Sequence, residues 1–320
     1  MSELEQSLRR GRGPNLAGPR PGLLTERDLA LLIAVYKHRY LSASQVQALL
    51  FPSRQTTLRR LKFLATNKYL RAFRVPGIPE QIVGLNRLGA ELVAEQLLVP
   101  VTELGWSAKT KVPQDPWFMR HHLLTSWFRI RLSKEVSAKP QLAFLGFIPE
   151  YLGESQEEGG IKRYLWEVVL DRQSKPREKL AHVPDGVFAL GRKDSQGAVS
   201  HAALFFLEID RGTEEIANPD KGVLKTLRFY LSLMGEPERY QRYAQDFQVK
   251  EFQGFRILFL TTTKTRVDNI RTVGGRFSWE PERAKRFIWL APKDLLEQGN
   301  VLVGPWRSFD GADERAYTLA

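Results

Sequence analysis

Three carboxylates are spaced as a cation site needs them. Asp185 sits in Pro184-Asp185-Gly186 at the start of a strand-like run over 183–190, and Glu208 and Asp210 close the run Leu204-Phe205-Phe206-Leu207-Glu208-Ile209-Asp210. Strand side chains alternate faces, so Glu208 and Asp210 share one side and Ile209 takes the other. The apolar Phe205, Phe206 and Leu207 mark a central strand. Acids at the end of such a strand, beside a third acid, suit a hard cation such as Mg²⁺ or Mn²⁺. A structural reading competes with this one. Asp185 would then serve its Pro-Asp-Gly turn, and Glu208 and Asp210 would pair with Arg211, Lys225 or Arg228.

A second pattern carries charge of the opposite sign. From Ser53 to Val75 stand Arg54, Arg59, Arg60, Lys62, Lys68, Arg71 and Arg74, with no acid among them. The surrounding spacing predicts the elements that would position them. Thr25 caps a helix with Glu26 and Asp28 in its first turn and Leu29, Leu32, Ile33 and Tyr36 at helical spacing. Ser42 or Ser44 caps a short helix, Gln45 to Leu50. Ser53 caps a third, with Leu58, Leu61 and Phe63 or Leu64 as its apolar face. Tyr69 to Val75 alternates like a strand, Pro76-Gly77-Ile78-Pro79 is turn chemistry, and Gln81 to Leu85 returns as its partner. Asn86 caps a fourth helix, Arg87 to Leu97.

Three helices and a hairpin follow the winged-helix plan, in which the third helix enters the major groove of duplex DNA and the flanking cations hold phosphates. Gln55, Thr56, Thr57 and Arg59 are then the candidates for base edges. The plainer alternative is a solvated basic face that meets another protein.

Composition agrees with a polyanionic partner. The 320 residues carry 48 Lys and Arg against 36 Asp and Glu, a net charge of +12. With 42% hydrophobic residues the chain can bury a core. It has no cysteine, which excludes disulfide scaffolds, Cys-ligated metals and thiol nucleophiles. No apolar run approaches the length of a membrane span, and a signal-peptide stretch is missing from the start. The expectation is therefore a cytoplasmic protein, associated with the nucleoid or a plasmid. Binding to a membrane surface carries the least weight, since Arg9, Arg10, Arg12 and Arg20 come without an amphipathic aromatic helix.

The predicted organisation is a flexible basic tail (1–22), a winged-helix domain (23–97), a linker (98–116), an α/β domain (117–300) and a C-terminal tail (301–320). The α/β domain opens with a helix from Trp117 to about Val136. Strand-like runs follow at 142–149, 163–170, 183–190 and 202–210, then a helix over 220–233, a strand over 255–262 and a short closing unit. His121 lies on the apolar stripe of the first helix and reads as a packed histidine; His122 points about 100° away, so the two share no metal easily. His182, three residues before Asp185, is a further candidate. Hydrolase-triad order, Walker A and dinucleotide-loop motifs are absent.

An Asp followed 10–30 residues later by a strand-borne Glu-x-Lys is the signature of PD-(D/E)XK nucleases. Asp185 with Glu208-Ile209-Asp210 resembles it, except that Asp210 stands where the Lys is expected. The whole chain also resembles the bacterial replication-relaxation family, in LTERDLALLIAVYKHRYLSASQVQALLF, RRLKFLATNKYL, HHLLTSWFRIRL, VPDGVFAL, FFLEIDRGTE and LFLTTT, over roughly residues 23–296.

The resemblance implies an α+β protein of plasmids or other mobile elements, a winged helix joined to a nuclease-like core with a central mixed sheet. It implies double-stranded DNA and replication or mobile-element proteins as partners. In an active nuclease Asp185 and Glu208 would hold the metal, and Lys225 or Lys221, or Arg211, would supply the charge that Asp210 cannot. The alternative is a non-catalytic regulator or recruiting subunit whose degenerate nuclease-like domain binds protein.

Overall fold

The computed structural model of the protein describes residues 24–107, 113–155, 161–172, 174, 176–218, 220–276, 282–298 and 300–319. The expected basic tail, 1–22, lies outside them. Two compact units divide between Ser126 and Trp127, within a long helix, and together they make a mixed α+β protein.

In the first unit, α1 (Glu26–His38) begins at a reciprocal cap. The Asp28 amide donates to the Thr25 hydroxyl at 3.3 Å, and the Asp28 carboxylate accepts from the Thr25 amide at 2.7 Å. Strand β1 (Tyr40–Ser42) leads into α2 (Ala43–Leu50), capped the same way by Ser42 and Gln45. Then come α3 (Arg54–Thr66), capped by Ser53, β2 (Leu70–Phe73), β3 (Ile82–Leu85) and α4 (Arg87–Leu97), capped by Asn86. The three strands form an antiparallel sheet in the order β1-β3-β2. Strand β1 is an addition to the sequence reading, because three residues are too few to show alternation.

Two side chains depart from expectation. The buried face of α3 is Thr57, Leu61 and Leu64, whereas Leu58, expected among them, is 39% exposed. It sits about 100° around the helix from Thr57. Arg60, expected on the outside, turns inward to the fully buried Asp28, its Nε donating at 2.6 Å. Burial opposes ionisation of Asp28, yet Arg60 and Thr25 hold its carboxyl below the ordinary carboxylate range. The Arg60 guanidinium also lies 4.2 Å from the Phe63 ring centre.

Where a linker was expected, Val101–Leu104 makes a short 3-10 turn with Leu104 buried, and the Trp106 indole donates to the Leu85 carbonyl at 3.4 Å. Helix α5 (Pro116–Ser137) follows. Its His122, rather than His121, is the buried histidine: it is 3% exposed, with Nε2 at 2.7 Å from the His38 carbonyl and 3.3 Å from that of Tyr40. Both neighbours are acceptors, so Nε2 carries the proton of a neutral ring.

The second unit is built on a seven-stranded mixed sheet. Its strands are β4 (Leu142–Pro149), β9 (Gly186–Lys193), β10 (Val199–Ile209), β11 (Phe255–Thr261), β12 (Ile288–Pro292), β13 (Trp306–Ser308) and β14 (Ala316–Tyr317), in the order β14-β13-β12-β11-β10-β9-β4. β10 runs parallel to β11 and β11 to β12; the other pairs are antiparallel. Helices α6 (Gly222–Leu233) and α7 (Lys264–Arg276) make the two parallel crossovers. Two small ribbons stand apart from the sheet, β5 (Gly153–Ser155) with β6 (Ile161–Arg163) and β7 (Glu167–Leu170) with β8 (Lys179–His182).

The last six residues of β10 are all buried, as a central strand requires. Its Leu204 and Phe206 pack with Leu227 and Tyr230 of α6 and Val267 and Ile270 of α7. Phe205 faces the other way, stacked on Phe188 at 4.9 Å, which stacks on Phe147 at 6.2 Å. Helix α7 escaped the sequence reading because it buries little more than Val267 and Ile270, too few positions for a periodicity. Residues 301–319 do not trail away as a tail. They add β13 and β14, and Trp306 is fully buried with its indole donating to the Val301 carbonyl at 2.9 Å.

Burial pushes the His122 pKa down to about 4, and the charge of Arg39 adds to this. The unfolded chain, with its histidine near 6.5, binds the proton more readily, so this contribution is complete above about pH 6.5 and is lost as pH falls towards 4. Thermal melts from pH 7 to pH 4 should show that acid loss in the wild type, and His122→Asn should flatten it.

Candidate functional site

The carboxylate of Asp185, one residue before β9, accepts from the Ile209 amide at 2.6 Å, while its own amide donates to the Leu207 carbonyl at 3.1 Å. It thus closes the β9–β10 pair at the end where Glu208 emerges. Glu208 is 8% exposed, with Oε1 2.7 Å from His182 Nε2 at the end of β8 and accepting from the hydroxyl of the fully buried Tyr230 on α6. The His182 ring lies edge-on to Tyr230 at 5.6 Å and tilted on Phe229 at 5.1 Å.

Glu208, His182 and Tyr230 bear on one another's charge. Burial drives the Glu208 carboxyl upward and the Asp185 charge adds to it; His182 and Tyr230 pull back without cancelling the rise. For His182, burial disfavours the imidazolium, but the charge and hydrogen bond of Glu208, with the charges of Asp185 and Glu214, together outweigh it and the pKa rises. Both directions mean that the pair retains a proton. Burial and the Glu208 charge raise the Tyr230 hydroxyl well above its ordinary range, so it stays a donor. Glu214, absent from the sequence candidates, is exposed after β10; desolvation and the charges of Asp210 and Asp185 raise its carboxyl.

Asp210 lies on the same face as Glu208, as alternation requires, but goes to other partners. Its Oδ2 accepts from the Thr261 hydroxyl at 2.6 Å and from Arg266 Nε at 2.9 Å, and its Oδ1 accepts from the Gly212 amide at 2.9 Å. Arg266, on the first turn of α7, also donates to the Glu214 carbonyl at 2.6 Å. The partners anticipated for these acids are therefore replaced: Glu208 has His182 and Tyr230, Asp210 has Arg266, and Arg228 pairs with the buried Asp171. Lys225 is exposed on α6, Lys221 pairs with Glu215 at 2.9 Å, and Arg211 is exposed.

The structure thus brings Asp185 and Glu208 together and gives Asp210 a separate ion pair. The carboxylate chemistry of Asp185 and Glu208 fits a hard divalent cation, whose charge would offset the burial and the Asp185 charge that raise Glu208.

On the first unit, Arg54, Gln55, Arg59 and Lys62 are exposed on α3. Thr56 is half-buried and accepts from the Ser53 hydroxyl at 3.0 Å; Thr57 is buried and donates to the Ser53 carbonyl at 2.9 Å. Lys68, with φ of 61°, turns the chain out of α3 and is exposed. The half-buried Arg71 lies 6.0 Å over the Tyr40 ring, and Arg74 is exposed ahead of the β2–β3 turn. That turn is fixed by Gly77, whose φ of 74° suits a residue without Cβ and whose carbonyl accepts from Arg120 at 2.7 Å.

The model of the replication-relaxation family matches residues 32–249, about two thirds of the chain. Neither the curated proteins nor the solved structures contain a match to it.

Because the folded state holds the His182 proton to higher pH than an unfolded histidine near 6.5, the His182 contribution is complete below about pH 6.5 and is lost as pH rises through the raised value. Glu208 moves in the same sense, starting from the ordinary carboxylate range. In metal-free buffer, the melting temperature of the wild type should fall across that alkaline range. His182→Gln, which keeps a donor but no titratable proton, should lose the part of that slope above about pH 6.5; an unchanged slope there would break the assignment.

Proposed function

The chain belongs to the replication-relaxation family, and from that premise we propose that it is a DNA-binding protein of plasmid or mobile-element replication or maintenance. The first unit is read as a winged helix that binds duplex DNA, with α3 in the major groove and the β2–β3 hairpin as the wing. One observation carries this reading: the exposed side of α3 presents Arg54, Gln55, Arg59 and Lys62, in a segment without a single acid from Ser53 to Val75. Lys68 and Arg74 extend the positive charge towards the wing, where phosphates would lie. Thr57 and Arg60 serve the fold of the helix in this scheme, which leaves base contact to Gln55, Arg59 and the half-buried Thr56.

For the second unit we propose a PD-(D/E)XK-like domain, supported by the order of its strands and the two parallel crossovers around β10 and β11. Asp185 and Glu208 would hold Mg²⁺ or Mn²⁺. Such a cation supplies Lewis-acid polarisation of a phosphate oxygen and hydroxide at neutral pH. The chain's own part would be to exclude water around Glu208, to position that carboxylate through Tyr230, and to take or return a proton at His182. Lys225 would bring positive charge from the exposed side of α6.

The Asp210–Arg266 pair favours the second reading, a non-catalytic domain that recruits replication or mobile-element proteins. The position where a nuclease carries its Lys is filled by a carboxylate already neutralised.

Two measurements test these readings. Exchanging Arg54, Arg59 and Lys62 for Gln should weaken duplex binding and lower the salt slope by about one for each lost phosphate contact, with melting unchanged. Affinity that ignores both salt and the exchanges would defeat the DNA reading. Incubated with supercoiled plasmid and Mn²⁺ or Mg²⁺, the wild type should nick or linearise it if the domain is a nuclease, and an Asp185→Ala, Glu208→Ala double variant should not. Binding without cleavage selects the recruiting domain.

A further inference from the structure

Leu58 is an exposed apolar side chain of α3 that the duplex reading leaves unused. Helical geometry puts Arg54, Leu58 and Lys62 in one row, four residues apart, with Gln55 and Arg59 in the next row. Leu58 is 39% exposed in the middle of this face, while the inward positions are held by Thr57, Leu61 and Leu64. A single exposed leucine is ordinary on a protein surface. The setting of this one is not, because cations flank it along its row and Gln55 and Arg59 lie beside it. A protein partner that buried Leu58 would also have to meet that whole cationic face. In the major groove the two needs are met together: phosphates line the edges, and the C5-methyl of thymine is the apolar group on the base edges.

We infer that Leu58 is a specificity-determining residue that packs on a thymine methyl and makes the protein prefer thymine at one position of its site. The inference rests on the duplex-binding reading above and deepens it. Arg54 and Lys62 would hold the phosphates on either side, and Gln55 and Arg59 would take polar groups on the adjacent base pairs.

The test uses the full chain and the duplex that the wild type enriches from a randomised 30-bp pool, synthesised once with thymine and once with uracil throughout. The two differ only by the C5-methyl groups. Wild type should bind the thymine duplex about fourfold more tightly, the effect of burying one methyl group. Leu58→Ala should bind both equally, with its melting temperature and salt slope unchanged, since Leu58 is exposed and touches no phosphate. Leu58→Met, which keeps an apolar side chain of similar reach, should restore the preference. Equal binding of the two duplexes by the wild type, or a preference that survives Leu58→Ala, overturns the inference while leaving the DNA reading in place. A wild type that enriches no duplex and shows no salt-dependent binding overturns both.

Discussion

A carboxylate at the end of a buried central strand is the constraint around which the second unit is arranged. Strand β10 is covered on both faces, so Glu208 leaves water as the strand folds, and an isolated buried charge is too costly to stand alone. The compensation comes from two separate stretches of chain. β8 delivers His182 and α6 delivers Tyr230, whereas Asp185, in the turn before β9, bonds the Ile209 amide and adds a like charge. The small β7–β8 ribbon therefore has a task that its size does not suggest: it carries His182. Its neighbouring Asp171 is tied to Arg228 of α6, the same helix that carries Tyr230.

Two carboxylates that leave β10 on the same face end in different electrical states. Glu208 and His182 keep a proton between them, and the nearby Asp185 charge opposes its loss. Asp210, two residues on, is held as an ion pair by Arg266 and by the Thr261 hydroxyl. The first arrangement is open to a change of charge by loss of that proton. The second is already balanced and lends rigidity between β10, β11 and α7. That contrast is the physical basis for weighing cleavage against recruitment, since a nuclease needs uncommitted positive charge near its scissile phosphate.

In the first unit a comparable division runs along one helix. Of the cations around α3, Arg60 is drawn inward to Asp28, where it secures the start of α1 and covers Phe63. Arg54, Arg59 and Lys62 remain outside. The inward pair holds the helix in place, and the outward set, with Leu58 among it, forms the surface that the helix presents. A charge count treats all four cations alike and misses this difference.

The amino-acid sequence by itself determined most of the elements, because caps and periodicities are local. Thr25, Ser42, Ser53 and Asn86 start their helices, Leu142–Pro149 is a strand with the predicted bounds, and the buried run before Glu208 marks the centre of the sheet. Family membership was legible as well, through the order of motifs along the chain. Only the tertiary structure decided partnership. Glu208 finds His182 26 residues away and Asp210 finds Arg266 56 residues away, distances over which no spacing rule operates. The same holds for β13 and β14, too short to signal themselves, and for α7, whose few apolar residues reveal a helix only once β11 and β12 give them something to pack against. Local chemistry sets which segments are helix or strand; which charges meet depends on how the sheet brings distant segments together.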